Sequence, residues 1–198
     1  MKKPEEDLTP VTTRGGDDGR SGLIDGSRRF KDDMLFEALG FIDESQVAIG
    51  CCRNSVIRQG EQRDGVKPLP RLVKQLESTQ YLMLTAGGVM ACPVTAPPGP
   101  TQPVITEEDI SRIDGYIEWW RDRTELEPRF FIAGDTLCGA EFDRARTVVR
   151  RAERAVVAVV RHQGLEEQKR VSRFLNRLSD WMFILARWAD MELADTVD

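Results

Sequence analysis

No stretch of the chain approaches the ~18 apolar residues that a transmembrane helix requires, and the N-terminal MKKPEEDLTP lacks the apolar core of a secretory signal. Positive charge is not in excess either. The net charge of −5 gives no support to a nucleic-acid or anionic-membrane partner, so any bound anion must be held by a local cluster. The four cysteines, Cys51, Cys52, Cys92 and Cys138, contain no CxxC pair and have no metal-ligand neighbours, which excludes a zinc knuckle. They read as inert thiols of a protein in a reducing cytoplasm. No run alternates apolar and polar residues as a half-buried strand would, and no repeat is present. The single histidine, His162, falls at the end of a predicted helix, where it suits the helix dipole better than catalysis.

What is present is helical periodicity. Leu35, Leu39, Ile42 and Ile49 mark one stripe of a first helix, with Asp32 and Asp33 in its first turn. A second helix runs from about Pro70 to Ala91, and APPGPTQP at 96–103 is a stiff connection. Thr106 caps a third helix reaching about Arg123, with Asp109 in the capping-box place. Asp135 or Thr136 caps a fourth that ends near His162, with Gly164 as its stop. In the fifth, Leu175, Leu178, Met182, Leu185 and Ala189 form a bundle seam. These patterns predict an all-α, five-helix bundle over residues 31–192, preceded by a flexible segment over 1–30 and followed by a short tail at 193–198.

Three features fit that bundle poorly. The segment TRGGDDGRSGL at 13–23 mixes Gly15, Gly16, Gly19 and Gly22 with Arg14, Arg20 and the pair Asp17-Asp18. It reads either as a floppy tail or as a loop whose backbone N–H groups converge on an anion, with Thr13, Arg14 and Ser21 adding donors. It is not a P-loop, since no GK[ST] ending follows and no strand precedes it. The fourth helix places Arg146, Arg150, Glu153 and Arg154 on one face, with Arg151 about a quarter-turn away. Such a run is either a solvated surface or a polyphosphate clamp built from guanidinium forks. Asn176 sits mid-helix beside the seam, either as an amide bonded to a neighbouring helix or as a nucleotide contact.

Taken in order, TRGGDDGRSG (13–22), RRFKDD (28–33), EALGFIDESQVAIG (37–50), ART (145–147), RRAER (150–154) and LNRLSD (175–180) resemble the motifs of the PduO-type ATP:cob(I)alamin adenosyltransferases. The resemblance spans residue 12 to about 190. It implies a homotrimer with active sites between subunits, which moves the 5′-deoxyadenosyl group of ATP to the cobalt of reduced cobalamin and releases triphosphate. It also implies Mg²⁺, a cobalamin reductase that supplies the low-valent substrate, and an adenosylcobalamin-dependent enzyme as acceptor. Co(I) is itself the nucleophile, so the protein needs no base.

By the same resemblance the N-terminal loop orders over ATP. Thr13, Arg14, Gly15, Gly16, Ser21 and Gly22 would line the nucleotide and Lys31 would meet a phosphate. Arg150, Arg151, Glu153 and Arg154 would take the triphosphate, with Glu153 toward the metal, and Asn176 would contact the nucleoside. Phe130, with Phe131 beside it, would face the lower side of the corrin and exclude the axial ligand, leaving a four-coordinate Co(II). Asp43 and Arg146 would pair between subunits and close the cobalamin site. The chain departs from the family pattern at Gly15-Gly16, Gln46, Ala133-Gly134-Asp135 and Asp143. A binding homologue that carries or senses ATP or corrinoid without catalysis would share most of these residues.

Overall fold

The computed structural model describes residue 12 and residues 14–62, 69–92, 102–163 and 168–194. Five helices carry the architecture: α1 (Met34–Gln62), α2 (Leu69–Met90), α3 (Glu107–Arg121), α4 (Leu137–Gln163) and α5 (Lys169–Glu192). They are preceded by a small antiparallel hairpin of β1 (Arg20–Gly22) and β2 (Arg28–Phe30), paired Arg20 to Phe30, Ser21 to Arg29 and Gly22 to Arg28. The expected α-bundle is therefore present, with a hairpin that the apolar pattern did not announce. Its strands are three residues long and built from Arg, Ser, Gly and Phe, too short to show a period.

Helix α4 is the centre of the bundle. It packs on α5 and on α1, α1 also carries α2, and α3 lies on α5. Phe142, Ala145, Val149, Ala152, Val156 and Val159 recur every three or four residues along α4 and are fully buried. The predicted α5 seam holds: Leu175, Leu178, Met182, Leu185 and Ala189 are all fully buried, joined by Trp181 and Trp188. Trp120 of α3 meets Trp188 edge-on at 4.7 Å. Its Nε1 donates to Gln75 of α2 at 2.8 Å, which satisfies the one polar atom of the indole.

The helix ends show why each begins where it does. Thr106 accepts from the Asp109 backbone N–H at 3.1 Å while Asp109 accepts from the Thr106 N–H at 2.9 Å, a complete capping box. Thr136, rather than Asp135, caps α4, its hydroxyl accepting from the Gly139 N–H at 2.9 Å. At α1 the cap is Asp33, whose Oδ1 accepts from the Leu35 N–H at 2.8 Å. The helix thus starts one residue after the acids placed in its first turn, and it runs on to Gln62. Cys52 and Cys138 are buried free thiols. Burial pushes the Cys52 thiol up and that of Cys138 to about 11, so neither is a thiolate near neutral pH. The expected stop at Gly164 lies outside the described residues, as do residues 96–101 of the stiff connection.

The hairpin is fastened to the bundle at three places. Leu23 is buried in the core and the Ile24 N–H donates to the Ala91 carbonyl at the end of α2. Arg29 of β2 donates to Gln163 at the end of α4 (3.1 Å) and to Asp33 (3.3 Å), and Gln163 returns a bond to Asp33 at 3.2 Å. Partial burial opposes ionisation of Asp33. The Leu35 N–H, the Gln163 amide and Arg29 outweigh it and hold the carboxyl below its ordinary 3.8. A depressed carboxyl stabilises the fold fully above its unfolded value and loses that contribution as pH falls through the folded one. Asp33→Asn is therefore expected to be less stable than the parent at neutral pH, with the gap closing below pH 3.8, as read from denaturant midpoints across the acid range.

Candidate active site

The residues singled out in the sequence gather into separate groups along α4. Joined to its C-terminus through Arg29 of β2 and Gln163 is the hairpin, with the glycine-rich turn ahead of β1. Arg14 (φ 55°) and Gly19 (φ 76°) both take left-handed backbone there. Lys31 donates to the Gly16 carbonyl at 2.8 Å, and its own N–H donates to the Gly19 carbonyl at 2.9 Å. Arg28 donates to the carbonyls of Gly15 and Arg20 and to Asp18. A Cβ on Gly16 would lie 2.8 Å from the Lys31 Nζ, so the close approach of the lysine needs the glycine. Gly15, Gly16, Ser21, Gly22 and Lys31 are thus one folded unit rather than a loose tail, whereas Thr13 lies outside the described residues.

The middle of α4 carries the arginines. Arg150 and Arg154 are exposed, and neither has an ion-pair partner among the described residues; Arg154 reaches only the Arg150 carbonyl, at 3.1 Å. Arg151 turns the other way, pairing with Glu44 of α1 and lying over the Phe41 ring at 4.6 Å. Glu153 and Asn176 meet directly, the amide donating to Glu153 Oε1 at 3.0 Å. Asn176 is therefore bonded to a neighbouring helix, and that bond also places it in a recess. Glu153 and Asn176 line a hollow of about 240 Å³ with Ile110, Asp114, Arg173 and Arg177. Two further ion pairs rim it, Arg177 to Asp114 at 3.0 Å and Arg173 to Glu107 at 2.7 Å.

The start of α4 holds the third group. Phe130 projects completely into solvent, and Ile132 and Leu137 are nearly as exposed. Phe131 packs instead, meeting Phe183 edge-on at 6.0 Å and facing the Arg187 guanidinium at 5.1 Å. Arg187 is 3% exposed and pairs with two carboxylates, Asp143 and Asp190. Asp143 also accepts from Arg146 Nε at 3.0 Å, so Arg146 has a partner in its own chain. Asp190 accepts from the Thr136 N–H (3.1 Å) and hydroxyl (3.0 Å). Burial raises the Asp190 carboxyl above its ordinary value against those bonds and the Arg187 charge. Asp43 is exposed on α1, with no partner of its own among the described residues.

Arg187 and Asp190 were missed because both read as polar breaks in an apolar helix. The only signal was their i, i+3 spacing, which suits an ion pair on any helix. Among the described residues no group of three or more His, Cys, Asp or Glu side chains could hold a metal ion by itself. Among the same residues no helix is long and apolar enough to cross a membrane.

Comparison with known proteins decides the family. The family model described as "Cobalamin adenosyltransferase" matches residues 11–189. The chain belongs to the cobalamin adenosyltransferase family. It is 35% identical to a corrinoid adenosyltransferase of Citrobacter freundii over 179 residues, which covers 89% of this chain and 93% of that one. It is 32% identical to a corrinoid adenosyltransferase of Bacillus subtilis over 175 residues, 88% of this chain and 83% of the relative. A solved variant of the PduO-type ATP:corrinoid adenosyltransferase from Lactobacillus reuteri, complexed with cobalamin and ATP, superposes with a TM-score of 0.78 at 26% identity. That match covers 92% of this chain and 94% of the other. The family resemblance read from the ordered motifs is confirmed, and so is the bundle.

The packing at the start of α4 is unforgiving. A Cβ on Gly139 would overlap the Asp190 carboxylate, with Cγ only 2.7 Å away and the Thr136 hydroxyl at 2.9 Å. Gly139→Ala is expected to lose about 1–3 kcal/mol by overpacking, read as a shift of the denaturant midpoint with the slope unchanged.

Proposed function

We propose that the chain transfers the 5′-deoxyadenosyl group of ATP to the cobalt of a reduced corrinoid, giving adenosylcobalamin and triphosphate. The arginine face of α4 carries this reading. Arg150 and Arg154 expose two guanidinium groups one helical turn apart that no described acid neutralises, on a stretch of α4 where Arg144, Arg146 and Arg151 are all paired. An unpaired guanidinium fork on a rigid helix is built to accept phosphate oxygens. In the transfer, Co(I) attacks C5′, the Co–C bond forms, and the C5′–O bond breaks with its electron pair leaving on triphosphate. The protein's task is to hold C5′ in line and to stabilise the departing charge, which falls to Arg150 and Arg154.

The remaining assignments follow this chemistry. Glu153 keeps one carboxylate oxygen beyond its bond to Asn176, which suits a Mg²⁺ held mainly by the triphosphate and completed by a single carboxylate. Asn176 and the hollow beside it take the nucleoside part. Arg14, Gly15, Gly16, Ser21 and Gly22, with Thr13, close over the nucleotide, and Lys31 exchanges its glycine carbonyl for a phosphate. Arg151, turned toward α1 and paired with Glu44, reaches the triphosphate only by leaving that pair. Phe130, free in solvent, presents an apolar face to the corrin in place of an axial ligand, with Phe131 behind it.

A second copy of the chain completes the site. At 1.5 Å per residue, Arg150 lies roughly 20 Å along α4 from Gln163, where the hairpin is anchored, and a three-residue strand spans only about 10 Å. The loop that covers the nucleotide on Arg150 is assigned to a neighbouring subunit of a homotrimer, as the family resemblance implies. Asp43 and Arg146, unpaired with each other within the chain, join across the same interface. A cobalamin reductase supplies the substrate, an adenosylcobalamin-dependent enzyme takes the product, and the cytoplasm suits the free thiols.

The test is to mix protein with chemically reduced cobalamin, ATP and Mg²⁺ under anaerobic conditions and follow the visible spectrum. Conversion of Co(I) to adenosylcobalamin with release of triphosphate is expected. Binding of both substrates without conversion would make the protein a carrier or sensor instead. Arg150→Ala is expected to lower kcat by about 10²–10³, and a rate near the parent's would remove the clamp assignment. Phe130→Ala is expected to lose more of the turnover that starts from Co(II) and a reductant than of that starting from Co(I). Equal losses would show that Phe130 does not act on the axial position.

A further inference from the structure

Behind the exposed Phe130 lies a buried charge cluster that the transfer chemistry does not use. The Arg187 guanidinium is 3% exposed and is held between Asp143 of α4 and Asp190 of its own helix, the latter at 2.8 Å. Each aspartate reaches one step further, Asp143 to Arg146 and Asp190 to the N–H and hydroxyl of Thr136. Two arginines thus balance two aspartates. Two rings pack against the guanidinium, Phe131 at 5.1 Å and Phe183 at 5.6 Å from its carbon. Arg187 Nε is buried with no hydrogen-bond partner among the described residues, so that side of the group has only packing to hold it.

This arrangement grips the 130–136 segment at both ends. Phe131 is clamped at one end by stacking on Arg187, and Thr136 is bonded at the other by the aspartate that Arg187 orients. Between them Gly134 takes a left-handed turn at φ 98°, and the chain has no other described bond to the bundle core over residues 132–135. Phe130 stands fully in solvent while its neighbour Phe131 is half-buried against Phe183 and Arg187, so holding Phe131 inward leaves Phe130 outward.

We infer that Arg187 is a positioning residue for the corrinoid side of the site, acting through Phe131 to hold Phe130 out toward the corrin. The inference rests on the proposed corrinoid reading only for its functional consequence; the grip on the loop stands on the geometry alone. Lysine at 187 would keep the charge between the two aspartates but lose the planar face and the fork. Leucine at 131 would remove the stacked ring and leave every ion pair intact.

The experiment compares the parent, Arg187→Lys, Phe131→Leu and the double variant by amide hydrogen exchange over 130–136 and by steady-state kinetics. Each single variant is expected to speed exchange about tenfold at the Thr136 amide, the one described hydrogen-bonded N–H of that segment, with exchange in α4 beyond Ala145 unchanged. Each should also raise KM for cobalamin while KM for ATP stays at the parent value. The double variant should lose less than the sum of the two single losses, because both changes break the Arg187–Phe131 contact even though Phe131→Leu also gives up the Phe183 ring. Unchanged exchange in the singles, or exchange that speeds equally throughout α4 and α5, would overturn the inference. Additive losses in the double variant would do the same. Faster loop exchange with an unchanged cobalamin KM would confine Arg187 to a structural role. A parent that turns over no cobalamin would instead defeat the proposed activity, while the exchange measurement would still decide whether Arg187 holds the loop.

Discussion

The α4 helix must bury one side and charge the other within the same 27 residues. Its valines and alanines fill the gap between α1 and α5, and small β-branched side chains let three helices approach closely. That burial fixes the rotation of the helix about its axis. Once the rotation is fixed, the positions of Arg146, Arg150, Glu153 and Arg154 relative to the core are fixed too. The binding face is thus a by-product of packing: the apolar residues aim the charged ones. A shift of one residue in this register would turn the arginines about 100° and bury a guanidinium without a partner.

Charge in the molecule follows a division that burial explains. Where arginine lies inside, as at 187, carboxylates surround it, since an unpaired buried guanidinium would not be tolerated. Where arginine lies outside, as at 150 and 154, solvent meets its hydration and no acid is required. Arg151 sits between these cases, half covered by Phe41 and paired with Glu44. The net charge of −5 therefore coexists with a local cationic strip. Its sign comes from placement rather than from composition.

Much of this was legible in the sequence because helices leave a long-range signature. The α5 seam and the capping box at Thr106 are repeated or paired signals, each readable without tertiary information. The arginine face was readable for the same reason. The hairpin was not, because three-residue strands held by backbone bonds and by Arg28 and Lys31 have no pattern to display. The Asp143–Arg187–Asp190 cluster was invisible for a different reason. It joins residues 44 positions apart, and nothing in a sequence says which charges will be enclosed together. Asp143 was noticed only as a departure from the family's usual residue; its partner became apparent in three dimensions.

Gly139 has a consequence that reaches beyond stability. The space where its side chain would stand is already occupied by the Asp190 carboxylate and the Thr136 hydroxyl. These three positions, two of them within one turn at the start of α4 and the third on α5, therefore compose one unit of inheritance. A lineage that keeps the acid must keep the glycine, and position 139 is freed to vary only when both the acid and the hydroxyl give way. Residues 136, 139 and 190 should accordingly drift together among relatives, a correlated triplet written by steric exclusion rather than by contact with any substrate.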